Sequence, residues 1–129
     1  MNIVQEHGLP FVSVTIIFKG NELKMNKVLL DTGSASTLFN ADLVREIGVV
    51  PEENDVVDTI RGVGGVEYVY TKSMDAIHFD DRSIEHFQVE IGSMDYGMDI
   101  DGIIGFDFMK SAGLLIDTQS MLVKAGEQL

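Results

Sequence analysis

The chain has 129 residues, 45% of them hydrophobic, with a formal net charge of −12 and no cysteine. That length supports one domain with a real core, and the apolar share excludes a disordered acidic tail. The missing cysteines exclude disulfides, thiol catalysis and thiolate metal sites, while singly scattered Lys and Arg argue against a nucleic-acid partner.

No stretch approaches the ~18 unbroken apolar residues of a membrane helix. The richest, Phe11 to Phe18, is short and broken by Ser13 and Thr15. Met1 to Gly8 has no basic start followed by an apolar core, so no secretory signal is read. A cytoplasmic, soluble domain spanning 1–129 is expected, with no membrane contact.

The periodicity is mostly that of strands. Val12, Val14, Ile16 and Phe18 fall on one face at period two. Gly20-Asn21 carries turn chemistry, and Glu22 to Leu30 reads as the returning strand, ending in Val28-Leu29-Leu30. Asp31-Thr32-Gly33-Ser34 breaks it. Asn40 is a good N-cap for a helix over Ala41 to Ile47, with Gly48 as its stop and Pro51 beyond.

Asp55 to Arg61 and Val66 to Lys72 read as two strands joined by Gly62-Val63-Gly64-Gly65. A further hairpin runs from Met74–Phe79 to Ile84–Ile91 around Asp80 to Ser83. Gly92 to Gly102 is irregular and acidic. Then come Ile103-Ile104-Gly105, a short helix over Phe106 to Ser111, Gly113 as its stop and a strand at Leu114 to Ile116. Apolar strand, tight turn and short helix occur at Leu29 to Ile47 and again near Ile103 to Ala112, a loose internal echo.

Asp31-Thr32-Gly33-Ser34 has two readings. It is a strand-ending turn in which Asp bonds backbone and Gly supplies φ > 0, or it sets a carboxylate at the end of a rigid buried strand. Leu29 to Ser34 resembles the catalytic signature of pepsin-like and retroviral-type aspartic proteases. Ile103-Ile104-Gly105 followed by Phe106 to Met109 is similar to that family's second signature, and Gly62 to Gly65 lies where the family has its flap. The resemblance spans about Phe11 to Val123, and the length fits the single-domain, retropepsin-like type.

That resemblance implies an all-β acid-protease closed barrel with one or two short helices. It makes Asp31 catalytic, with Thr32, Gly33, Ser34, Ile103, Ile104 and Gly105 supporting the active-site loop. Gly62, Val63, Gly64 and Gly65 become the flap over a polypeptide substrate. Thr32 is expected to bond across to a partner subunit, and the Ser34 hydroxyl to bond the outer carboxylate oxygen.

Aspartic proteolysis needs two carboxylates sharing one proton. Asp117-Thr118-Gln119 is a near copy, with Gln where the turn wants Gly, and twelve residues after Asp117 are too few for a second lobe. Asp117 is read as a structural acid at a strand end. The second carboxylate is therefore expected from Asp31 of another subunit, which makes a homodimer a condition of catalysis. The alternative is a retropepsin-like domain that binds peptides or mediates assembly without cutting them.

Rival motifs fail on residues. Glu67 stands where a dinucleotide fingerprint wants its third Gly, and Val66 to Tyr70 alternates like a strand. Aligning Gly102 with the calcium-loop glycine puts Gly97 at the first ligand position and Phe108 at the last, so Asp95, Asp99 and Asp101 read as a solvated acidic loop. His78 and His86 flank a turn with no third ligand spacing, and no Gly-x-Ser-x-Gly elbow exists to make Ser34 a nucleophile. No metal or organic cofactor is expected.

Overall fold

The alternating run becomes the expected strand in a computed structural model of the chain, which describes residues 1–62 and 65–126. A short β1 (Val4–Glu6) precedes it, and the strand itself is β2 (Leu9–Phe18). Val12, Val14, Ile16 and Phe18 are all buried, as period two requires. Lys19 and Gly20 both take positive φ, 49° and 83°, the backbone of a tight two-residue hairpin turn. The turn thus sits one residue earlier than expected, and Asn21 already opens β3 (Asn21–Leu30).

The β2–β3 register shifts between Val12 and Val14. Next to that shift the Lys27 N–H donates to Asp101 Oδ2 at 3.1 Å, and the Asp101 N–H donates to the Lys27 carbonyl at 2.8 Å. Asp101 is therefore an anchor for β3 and not simply a solvated loop acid. A bulge exposes backbone groups that a regular ladder would pair, and Asp101 satisfies them.

β4 (Leu38–Asn40) leads into α1 (Ala41–Val44), and the Asn40 side chain accepts from the N–H groups of Asp42 and Leu43 as a cap should. Only the first half of the expected helix is α. Arg45–Ile47 continues as a 3-10 turn that ends at Gly48, whose φ is 88°.

β5 (Val57–Gly62) and β6 (Gly65–Phe79) pair as the expected antiparallel hairpin, and Val63 and Gly64, which come between them in the sequence, lie outside the described residues. The sequence suggested two strands, 66–72 and 74–79; the structure has one of 15 residues. It returns through Asp80-Asp81 into β7 (Arg82–Gly92). Lys72 on β6 is buried, with Glu52 at 2.8 Å and Asp55 at 2.9 Å. Burial opposes its charge, but the two carboxylate bonds outweigh that and hold its pKa above the ordinary lysine value. The same bonds hold Glu52 and Asp55 below theirs.

The chain ends with β8 (Gly102–Ile104), α2 (Phe106–Ala112), β9 (Leu114–Asp117) and β10 (Leu122–Ala125). β9 and β10 form an antiparallel hairpin, and Asp117 Oδ1 accepts the Ser120 N–H in its turn, the structural role expected of it. The first residues lie beside β10: the Val123 N–H donates to the Met1 carbonyl at 3.0 Å.

Neighbouring strands run β1-β2-β3-β8-β4-β7-β6-β5, and β2 also pairs with β6. That extra pairing links β2, β3, β8, β4, β7 and β6 into a ring, the closure a barrel needs. Ile16, Phe39, Phe79, Ile104 and Phe108 are fully buried within the main core. Phe108 brings α2 onto it, with ring centroids 5.7 Å from Phe79 and 5.3 Å from Phe87. A smaller cluster of Phe11, Leu38, Val69, Met94, Ile100 and Ile103 lies apart from it.

Candidate active site

Asp31 leaves the end of β3 where three strands meet. β8 lies between β3, to which it is parallel, and β4, to which it is antiparallel. Leu30 pairs with Ile104, and the Asp31 N–H donates to the Ile104 carbonyl at 3.0 Å. Ile103 and Ile104 are buried, so both expected supports lie directly against the strand that carries the acid. The Asp31 backbone is therefore fixed by main-chain bonds within the sheet.

The turn closes on itself beyond that point. The Ser34 N–H donates to the Asp31 carbonyl at 3.2 Å, and the Gly33 N–H donates to Asp31 Oδ1 at 2.9 Å. Asp31 is half-buried, and Thr32 and Gly33 are exposed. The Ser34 hydroxyl differs from expectation. It donates its single proton to the Ser36 carbonyl at 2.7 Å, which holds the outgoing chain and leaves nothing to donate to Asp31.

Gly105 locks the second signature to the first. An added Cβ would overlap the Ser36 carbonyl and lie 2.9 Å from the Ser34 carbonyl oxygen. Only glycine allows β8 to leave the sheet so close to the Asp31 turn. The Phe106 N–H then donates to the Ser34 carbonyl at 2.7 Å, and the Gly105 N–H donates to Thr37 Oγ1 at 3.0 Å.

Thr37 and Asp107 carry a role that sequence reasoning missed. Thr37 is fully buried, and its hydroxyl donates to Asp107 Oδ1 at 2.8 Å while accepting from Gly105. The Thr37 N–H donates to Asp107 Oδ2 at 3.3 Å. An acid in the first turn of α2, two residues after Gly105, was the available signal. Thr37→Val keeps the shape but strips both hydroxyl bonds, leaving a buried N–H and a carboxylate short of partners. A loss of about 2–3 kcal/mol in urea unfolding is expected, with Thr37→Ser restoring most of it.

The Asp31 turn opens on a cleft of about 1120 Å³. Asp31, Gly33 and Ser34 share it with Leu29, Leu38, Ile100 and Ile103, an apolar surface with a carboxylate set into it. Val66, Glu67 and Tyr68 of β6 line it beside the β5–β6 hairpin, and Ser93, Asp95 and Tyr96 line it from the loop after β7. Both Glu67 oxygens are engaged by that loop: Oε1 accepts the Met94 N–H at 2.7 Å, and Oε2 accepts the Tyr96 hydroxyl at 2.7 Å. Burial, together with the Glu67 bond, raises the Tyr96 pKa well above the ordinary tyrosine value.

This geometry meets the comparisons with known proteins. The aspartyl protease family matches the chain over residues 12–108. Among solved structures, the chain is similar to a retropepsin-like aspartic protease from Rickettsia conorii, with a TM-score of 0.67 and 13% identity. The match covers 96% of this chain and 97% of that one. No curated protein matches it.

Proposed function

On the premise that this chain belongs to the aspartyl protease family, as the match over residues 12–108 shows, we propose that it is a homodimeric aspartic endopeptidase. The observation that carries this reading is the single Asp31 carboxylate, held on a sheet-pinned turn at the mouth of an apolar cleft. One such group cannot both take a proton from water and give one to a peptide carbonyl. Two Asp31 side chains related by a two-fold axis can.

The ionised Asp31 takes a proton from water as the water oxygen bonds to the peptide carbon, and its protonated mate gives a proton to the carbonyl oxygen. Collapse of the resulting diol breaks the C–N bond, and the nitrogen leaves with a proton from the dyad. Thr32, exposed in the single subunit, bonds across the axis and holds the two turns in register. The β5–β6 hairpin closes over a polypeptide, with Gly62 and Gly65 paired at its described end.

Association is the first test. Sedimentation at micromolar concentration and mildly acidic pH should reveal a species of twice the 14.2 kDa subunit. A charge of −12 on each subunit opposes association, so raising salt to about 0.5 M should tighten the dimer by screening that repulsion. In the same solutions the dimer should cut an unstructured polypeptide. A strictly monomeric species at every concentration and salt removes the proteolytic reading.

A further inference from the structure

Two segments wall the cleft, and the ladder that joins them stops short of it. β6 and β7 pair regularly up to Tyr70 opposite Ile91. Continued three residues further, that register would set Glu67 against Met94. There β6 keeps its pairing with β5 along its other edge, through Glu67 opposite Ile60, but the chain beyond Gly92 is a loop, so no strand faces Glu67 on the β7 side. The Glu67 side chain replaces the missing main-chain acceptor.

The seat for its carboxylate is built by several groups. Oε1 accepts from the Met94 N–H and from the Ser93 hydroxyl at 3.2 Å, and Oε2 accepts from Tyr96. Gly92 leaves the room, since a Cβ there would lie 2.5 Å from Glu67 Oε1. Met94 is buried and holds φ at 53°, a left-handed backbone that a methionine rarely adopts. That conformation persists when the surroundings over-determine it, and here the bond to Glu67 supplies part of the constraint.

We propose that Glu67 is a positioning residue for substrate: it clamps the strand leaving the flap to the Ser93–Tyr96 loop and so sets the width of the cleft above Asp31. The role rests on the proposed peptide-binding function of that cleft. A peptide entering a cleft of fixed width does not have to order both walls, so the clamp acts on affinity more than on turnover.

The test uses the full chain, with fluorescein-labelled casein as the unstructured probe. Glu67→Ala should raise KM for casein about tenfold while kcat stays within about twofold, the pattern of lost binding rather than lost chemistry. In the unliganded protein, amide exchange should quicken at Met94 and Tyr96 by at least tenfold and stay unchanged across Val12 to Phe18. Glu67→Gln keeps an oxygen for Met94 and presents an amide to Tyr96, so it should recover most of both effects. Casein binding by Asp31→Asn, with and without Glu67→Ala, gives the affinity free of cleavage.

Cleavage with an unchanged KM in Glu67→Ala overturns the clamp and leaves the protease standing. Absent cleavage, with casein affinity about tenfold weaker on loss of Glu67, overturns the protease and leaves the clamp. Unchanged exchange at Met94 overturns the clamp whatever the enzyme does.

Discussion

Gly105→Ala should unfold the candidate site, at a cost of about 3 kcal/mol or more in urea unfolding. The cost is one of space and not of dihedral angle, since Gly105 sits at φ −88° and ψ 179°, open to any residue. The added carbon meets main-chain atoms, the Ser36 carbonyl and the Ser34 carbonyl oxygen, and these cannot rotate aside as a side chain would. Overpacking of this kind costs about 1–3 kcal/mol even where neighbours relax. Here relaxation must also break the Phe106–Ser34 and Gly105–Thr37 bonds, each worth about 1 kcal/mol. Gly20→Ala is the control. Its φ of 83° is strained for alanine, but its surroundings are open, so about 1 kcal/mol is expected. Equal losses at the two glycines would mean that the Asp31 turn and β8 are not packed as described.

The contrast between these glycines also shows what a sequence carries. The β2–β3 hairpin is legible because Val12 to Phe18 alternates and Gly20 marks the turn, both local signals. β4 and β8 are three residues each, and their partners are far away in the chain. Leu38-Phe39 is too short to show a period, so its pairing with Ile103 and Gly102 could not be read from the sequence. Asp31 and Gly105 were visible as motif residues. The Thr37–Asp107 bond and the Glu67 clamp were not, because their partners lie 70 and 26–29 residues apart and no local pattern links them. The expected Ser34–Asp31 bond failed for a related reason: Ser36 offers a nearer carbonyl, and a hydroxyl has one proton to give.

Asp31→Asn should abolish peptide hydrolysis while leaving the fold intact. The replaced carboxylate accepts one described protein hydrogen bond, from the exposed Gly33 N–H, and an asparagine carbonyl oxygen can accept it in the same place. Volume is nearly conserved, and the main-chain bonds that fix the turn, to Ile104 and from Ser34, do not involve the side chain. Stability should therefore change by less than about 1 kcal/mol, and in the dimer it should hold or rise, because two close carboxylates repel when both are charged. Activity should fall at least 10³-fold, to the uncatalysed background, since a neutral amide cannot take a proton from water. A purely structural Asp31 predicts the opposite pairing, a loss of about 1–3 kcal/mol with activity that only follows folding. A cleavage assay on unstructured polypeptide between about pH 4 and 7, beside a melting curve of the same protein, separates the two. Retained cleavage would eliminate the aspartic mechanism. If the unsubstituted chain binds polypeptide and cuts none of it, the site holds peptides without chemistry, because a turn pinned this firmly still presents one carboxylate per subunit and leaves the dyad unmade.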